Sequence, residues 1–64
     1  MPSERRFADI RKSLEHHGWT LNRINGSHHV FVKEGQGHVT IPVHKGRVKP
    51  HYVRKVEKLT GEKL

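Results

Sequence analysis

Apolar residues near the start of the chain repeat at helical spacing. Phe7, Ile10 and Leu14 are separated by three and four residues, so they lie on one face of a helix. Ser3 is of a residue type that caps helix N-termini. The pattern predicts a first helix over about residues 4–17.

Three segments in the middle of the chain alternate between apolar and polar residues, as strands with one buried face do. They cover residues 19–24, 28–33 and 38–43. Asn25-Gly26 is a strong two-residue turn signal, and the segment 34–37 is a second turn. Short turns between consecutive strands predict an antiparallel meander.

The last third of the chain predicts a basic loop and a second helix. The loop covers residues 44–49, Pro50 suits the first position of a helix, and Gly61 suits its end. Pro42, which lacks an amide hydrogen, predicts an edge or the limit of the third strand. The apolar stripe of the second helix consists of Tyr52, Val53, Val56 and Leu59.

The element order is therefore α-β-β-β-α in a single domain over residues 1–64. This is an α+β fold in which a three-stranded antiparallel sheet packs on two helices, since that arrangement buries the apolar stripes. A chain of this length has a thin core. We expect Trp19, Phe31 and Tyr52 to belong to that core.

The charge balance indicates a polyanionic partner. Thirteen Lys and Arg residues face six Asp and Glu residues, which gives a formal charge of +7 with neutral histidines. Such density on a short chain favours nucleic acid, where phosphate contacts release counterions. A basic surface kept for solubility is the plainer interpretation. A membrane surface fits less well, because neither predicted helix has a broad apolar face.

Cysteine content limits the chemistry that the side chains can perform, and hydropathy indicates where in the cell the protein is expected. The chain has no cysteine, so disulfides, thiolate nucleophiles and cysteine-based zinc sites are excluded. It contains no apolar run long enough to span a bilayer and no apolar stretch of signal-peptide type. We expect a cytoplasmic protein with no membrane partner.

The adjacent residues His28 and His29 are the strongest candidates for chemistry among the seven histidines. On a strand they point to opposite faces, so only one can meet a given ligand. Histidine exchanges protons near neutral pH, which is what RNA cleavage requires. A base takes the proton of a ribose 2′-hydroxyl, the oxygen attacks the phosphate, and the 5′-oxygen leaves, without a metal or another cofactor. The plainer interpretation is that both are ordinary strand residues.

The remaining histidines suggest weaker interpretations. His38 and His44, with one of the pair, offer imidazoles to a metal, but their spacing matches no zinc pattern and no metal is expected. His16 and His17 suit the negative end of the first helix. His51, early in the second helix, is interpreted as a surface or RNA-contact residue.

Gly26 and Ser27 precede the histidine pair and allow two interpretations each. Gly26 supplies the positive φ that a hairpin turn needs, or it lets a phosphate approach the backbone. Ser27 donates to a phosphate or satisfies the turn.

A set of motifs, taken in order, resembles a known family. Gly18-Trp19 is followed by Gly26-Ser27-His28-His29-x-Phe31, by Val39-Thr40-Ile41-Pro42, by the basic loop and by the C-terminal helix. This order and spacing resemble the HicA toxins of HicA–HicB toxin–antitoxin systems over about residues 5–61.

The resemblance implies a fold like the double-stranded-RNA-binding domain and an endoribonuclease that cuts mRNA. It implies a histidine in the glycine-serine segment as the essential residue, first His28 and in reserve His29, with Gly26 also important. It further implies a HicB-type antitoxin that covers the active face. Many relatives carry a histidine directly after the proline of the third strand, whereas here Val43 intervenes before His44.

The leading hypothesis is a metal-independent endoribonuclease toxin whose catalytic residue is His28 or His29. We expect His28 to be reachable by solvent, on the face that carries the basic residues. The RNA-binding residues are predicted to be Gly26, Ser27, Lys33, Lys45, Arg47 and Lys49. A non-catalytic domain that binds structured RNA is the alternative. A protein-interaction module that meets an acidic partner is the third hypothesis.

Overall fold

A three-stranded antiparallel sheet with two helices on one face forms the centre of the computed structural model, which describes residues 3–64. The predicted α-β-β-β-α order is confirmed, and two short strands are added to it. The elements are β1 (Arg5–Arg6), α1 (Phe7–His16), β2 (Thr20–Asn25), β3 (His28–Lys33), β4 (Gly37–Pro42), β5 (Arg47–Val48) and α2 (Pro50–Thr60).

The sheet is the predicted meander, with β3 between β2 and β4. The β3–β4 register is regular from His28 opposite Pro42 to Lys33 opposite Gly37. Pro42 ends β4, which is an edge strand, as its missing amide hydrogen predicts.

Alternation along β3 divides the sheet into a helix face and an open face. Phe31 is fully buried against the helices, and its cross-strand partners Leu21 and Val39 lie on the same face. The residues on either side of Phe31, Val30 and Val32, point to the open face. They are only partly exposed there, which explains why apolar residues occur on both sides of this strand.

The β2–β3 register shifts between Leu21 and Arg23, so Asn22 forms a β-bulge. Before the bulge, Thr20 and Leu21 follow the predicted alternation. After it, the faces are exchanged, and Ile24 becomes the cross-strand partner of His29 on the helix face. Ile24 lies there at the edge of the sheet with more than half of its surface exposed.

The first helix begins at Phe7 rather than near residue 4, and the predicted cap at Ser3 is wrong. Arg6 occupies the N-cap position and makes no side-chain capping bond. The reason is a tertiary contact: Arg5 and Arg6 pair with Val48 and Arg47 as a short antiparallel ladder. A strand conformation at these two positions prevents the helix from starting earlier.

The end of α1 is the glycine stop that the sequence predicts. Gly18 has a φ of 90°, its amide donates to the Glu15 carbonyl, and the Trp19 amide donates to the Leu14 carbonyl. These two bonds are the pattern of a Schellman motif. Leu14 and Trp19 are both buried, so the motif directs the chain from the helix into the core.

The first hairpin turn is shifted by one residue from its predicted position. Asn25 pairs with His28, so the central turn residues are Gly26 and Ser27 rather than Asn25 and Gly26. Gly26 has a φ of 63°, as expected of a glycine at the first central position of a type II′ turn.

The second helix has the predicted limits, with Pro50 in its first turn and Gly61 in a left-handed conformation at its end. Trp19 and Phe31 are core residues as predicted, whereas Tyr52 is half-buried against the core and Leu59 is 43% exposed. No helix within residues 3–64 is long and apolar enough to cross a membrane. The buried hydrophobic side chains are Ile10, Leu14, Trp19, Phe31, Val39, Ile41, Val48, Val53 and Val56.

Substituting Gly18 tests the helix stop. We expect Gly18→Ala to lower the free energy of unfolding by about 1–2 kcal/mol, because alanine resists a positive φ. The new Cβ would also meet Lys33 Cε at 3.3 Å, although that side chain can move. Gly18→Asn should lose less, since asparagine tolerates this conformation. Urea unfolding measures both, and equal losses would contradict the backbone explanation.

Candidate functional site

The sheet separates the two adjacent histidines. His28 is exposed on the open face, with Asn25 and Pro42 as its cross-strand partners. His29 points to the helix face and is half-buried, with Ile24 and Ile41 beside it. The two rings therefore lie in different surroundings, and His28 is as exposed as expected.

The ring of His29 is oriented by a hydrogen bond. Its Nδ1 lies 3.1 Å from the carbonyl oxygen of Ser27. A carbonyl oxygen only accepts, so Nδ1 carries the proton in this bond. In the neutral ring Nε2 then has a free lone pair and can take a proton from a ligand.

Phe7 packs against the His29 ring. The two ring centroids are 4.5 Å apart and the planes are tilted by 53°. Phe7 is itself fixed, because it begins α1, packs on Phe31 and donates its amide hydrogen to the carbonyl of Gly46 at 2.8 Å. The start of α1 thus sets the position of the imidazole.

The predicted basic loop contains a second tight hairpin. His44 and Arg47 exchange two backbone hydrogen bonds of 2.9 Å around Lys45 and Gly46. These central residues have φ values of 52° and 75°, the signs that a type I′ turn requires. Within residues 3–64, Lys45 is the only non-glycine residue with a positive φ. The turn places Lys45 at an exposed tip.

Two arginines face each other where β1 meets β5. Arg6 and Arg47 are direct cross-strand partners, and both are exposed. Like charges at directly opposed positions destabilise a strand pair. Asp9 lies 3.5 Å from Arg6 and compensates in part, at the exposed surface. An anionic ligand would relieve the remaining repulsion.

These residues are connected through Phe7, and we call the region that they form the His29 cleft. Arg6 directly precedes Phe7, which contacts His29, and the hairpin that carries Lys45 and Arg47 is bonded to Phe7 through Gly46. Phe7 thereby connects the half-buried proton acceptor His29 with the segments that carry the exposed cations.

Two of the predicted RNA-binding lysines lie elsewhere. Lys33 is at the opposite end of β3 from the histidine pair, about 17 Å along the strand, with its side chain over Gly18. Lys49 is exposed at the N-cap of α2, beyond the hairpin. Gly26 and Ser27 form the turn directly before the pair, and Ser27 contributes through its backbone carbonyl.

Arg6 and Phe7 are parts of the cleft that the sequence did not identify. Arg6 falls within the predicted first helix, and Phe7 was assigned to its apolar stripe. The doublet Arg5-Arg6 before the first apolar position is the only local signal. Their role depends on residues 46–48, which are about forty positions away in the chain.

The histidines do not gather into a metal site in the part of the chain that the structure describes. No group of three or more His, Asp or Glu side chains there is close enough to hold an ion. His44 lies at the base of the hairpin, whereas His38 lies on the open face opposite Val32.

Comparison with protein families finds a match over most of the chain. A family model described as "HicA toxin of bacterial toxin-antitoxin" matches residues 7–61 of the 64-residue chain. No curated protein and no solved structure gives a significant match. The matched segment begins at the first residue of α1 and ends just after α2. It therefore includes His28, His29 and the hairpin that carries Lys45.

Replacing Lys45 separates backbone strain from charge. We expect Lys45→Asn to raise the free energy of unfolding by about 1 kcal/mol, because asparagine tolerates the left-handed conformation of a type I′ turn. Lys45→Ala removes the same charge but keeps the unfavourable φ, so it should give no such gain. Thermal melting of the two variants makes the comparison. A gain of equal size in both would show that charge, and not φ, is responsible.

Proposed function

The chain belongs to the HicA family of bacterial toxin–antitoxin toxins, and from this premise we propose that it is an endoribonuclease that cuts mRNA with His29. The observation that carries the proposal is the His29 cleft. It combines an oriented, half-buried imidazole with exposed arginines that repel one another.

The proposed reaction uses the ribose 2′-hydroxyl as nucleophile. Nε2 of His29 takes the hydroxyl proton, and the 2′-oxygen forms a bond to the adjacent phosphorus. The bond from phosphorus to the 5′-oxygen breaks, and solvent water protonates that oxygen in the open cleft. The products are a 2′,3′-cyclic phosphate and a 5′-hydroxyl end. DNA lacks the nucleophile, so the mechanism selects RNA, and it requires no metal.

The cations of the cleft would stabilise the charge that develops on the phosphoryl oxygens. The guanidinium groups of Arg6 and Arg47 present planar donors that suit phosphate. Both side chains are exposed. Because the two arginines are cross-strand partners, they can approach one phosphate from adjacent positions. Lys45 extends the positive surface at the hairpin tip.

His29 is preferred to His28 on geometry. Exposure alone favours His28, but within residues 3–64 that ring makes no side-chain hydrogen bond and no contact with another aromatic ring. A general base must be held in reach of the proton that it abstracts. The hydrogen bond to Ser27 and the contact with Phe7 provide this constraint for His29. His28 therefore serves as the matched control.

The partners follow from the same proposal. The toxin family implies an antitoxin, which we propose to be of the HicB type and to cover the His29 cleft in the inactive complex. The substrate is proposed to be mRNA in the cytoplasm. The formal charge of +7 supports a polyanionic substrate and an acidic covering surface.

Single substitutions of the histidine pair test the catalytic assignment. In EDTA, we expect His29→Ala to slow RNA cleavage by at least about 100-fold, which is typical of losing a general base. His28→Ala should retain most of the activity, and His29→Ala should also relieve growth arrest when expressed in bacteria. If His28→Ala slowed cleavage more than His29→Ala, His28 would be the general base. RNA binding without any cleavage by the wild-type protein would make the domain a non-catalytic binder.

Neutralising the arginine pair tests charge stabilisation. We expect Arg6→Gln and Arg47→Gln each to reduce the cleavage rate about tenfold or more, as the loss of a transition-state donor does. Lys33→Gln removes one positive charge at the far end of β3 and should change the rate little. If all three variants behave alike, the cations act only through net charge, and the proposed contact is wrong.

A further inference from the structure

The outward face of α2 carries a row of three basic residues and one histidine that the proposed reaction does not use. Positions i, i+3, i+4 and i+7 lie on one face of a helix, and all four of these side chains are exposed. They line a surface groove of about 400 Å³. We call this groove the α2 groove; its residues are His51, Arg54, Lys55 and Lys58.

No ion pair in the part of the chain that the structure describes neutralises the charges of the α2 groove. The ion pairs within residues 3–64 are Arg6–Asp9 and Arg11–Glu15, and neither involves this helix. Glu57, the single acidic residue of α2, lies off the row and accepts a hydrogen bond from the Leu64 amide at 2.9 Å. Neighbouring like charges on a helix destabilise it, so an external anion is the natural complement.

A second groove of about 340 Å³ shows the contrast. It lies on α1, and Lys12 is its lysine, but Asp9 and Glu62 line it as well. Its acidic residues disfavour a phosphate, whereas the α2 groove has none. The two grooves therefore differ in charge, and only the α2 groove is lined by basic residues without acidic ones.

We propose that the α2 groove binds the backbone of the RNA substrate at a distance from the cleaved linkage. Side chains three or four positions apart in the row have Cβ atoms about 5–6 Å apart. Cations at this spacing form a positively charged track that suits the backbone of a single strand. The chain runs from Arg47 in the His29 cleft through Lys49 directly into α2, so the two surfaces are adjacent along the backbone.

The aromatic residue at the start of the row favours RNA over an acidic protein. His51 is exposed, and its ring is perpendicular to that of Tyr52, with ring centroids 5.1 Å apart and an interplanar angle of 87°. Exposed aromatic rings stack on bases of single strands, and the exposure of His51 makes its ring accessible to a base. An acidic peptide offers carboxylates to the basic residues but no base to stack on this ring.

The inference rests on the proposed function for the identity of the ligand, so its test is independent of cleavage. The probe is a 2′-O-methylated oligouridylate of about 15 nucleotides, which lacks the attacking hydroxyl. Fluorescence anisotropy measures its Kd across roughly 50–200 mM salt. The test variant is Arg54→Gln/Lys55→Gln/Lys58→Gln. The matched control, Arg11→Gln/Lys12→Gln/Lys63→Gln, also removes one arginine and two lysines from exposed positions.

We expect the test variant to bind about tenfold more weakly at the lowest salt. Its slope of log K against log salt should become shallower by about 2, since each single-strand phosphate contact contributes about 0.7. The control variant should change the slope much less. His51→Ala should also weaken binding, and His51→Phe should restore it. Equal effects of the two triple variants would overturn the proposal, because they would show a response to net charge alone.

Two further measurements separate this inference from the proposed function. If the wild-type protein cuts long RNA, the test variant should raise KM and leave kcat unchanged; a fall in kcat alone would contradict a binding role. If the wild-type protein cuts no RNA, the nuclease proposal fails. The anisotropy result still shows whether the α2 groove binds RNA. A polyglutamate peptide that binds as tightly as the oligouridylate, and loses affinity equally in the test variant, would assign the groove to an acidic protein.

Discussion

The pairing of β1 with β5 is the contact on which the proposed site depends. Two residues on each side form the ladder, and the amide of Phe7 extends it to the carbonyl of Gly46. This contact stops α1 from beginning earlier, positions Phe7 against His29, and brings Arg6 opposite Arg47. Val48, which is fully buried, anchors the ladder in the core. A ladder anchored in the core thus connects the residue that contacts the imidazole, Phe7, with two exposed arginines.

The same region contains features that reduce stability. Arg6 and Arg47 repel each other, Lys45 has a backbone conformation that favours glycine or asparagine, and α1 lacks a side-chain cap. A domain of this size has little stability to lose. Destabilising features that persist together at one surface are typical of a binding or catalytic site. A polyanion that contacts the cleft would offset the charge repulsion and stabilise the folded state.

Local signals in the sequence were sufficient for most of the fold and for the histidine pair. The strands lie within one residue of their predicted limits, and Pro50 and Gly61 bound α2 as expected. The larger errors arose where a distant contact decides the conformation, whereas the shifted first turn and the β-bulge at Asn22 are local differences. The start of α1 depends on residues 46–48, and the supposed basic loop contains a strand because β1 pairs with it.

The choice between His28 and His29 shows why the site could be predicted only in part. Adjacent strand residues point to opposite faces, but Val30 and Phe31 make both faces of β3 apolar in the sequence. Which face meets the helices becomes clear only when Phe7 is found against His29. Arg6 could not be identified, because its partner Arg47 is remote in the chain. The α2 groove, in contrast, follows from helical spacing once the limits of α2 are known.

The central claim is that the fold fixes His29 with its Nε2 lone pair free. Long-range ¹H–¹⁵N spectroscopy of the imidazole rings, at a pH where they are neutral, observes this directly. The account predicts that His29 carries its proton on Nδ1, while the exposed His28 shows no such fixed preference. A proton on Nε2 of His29, or identical behaviour of the two rings, would contradict it.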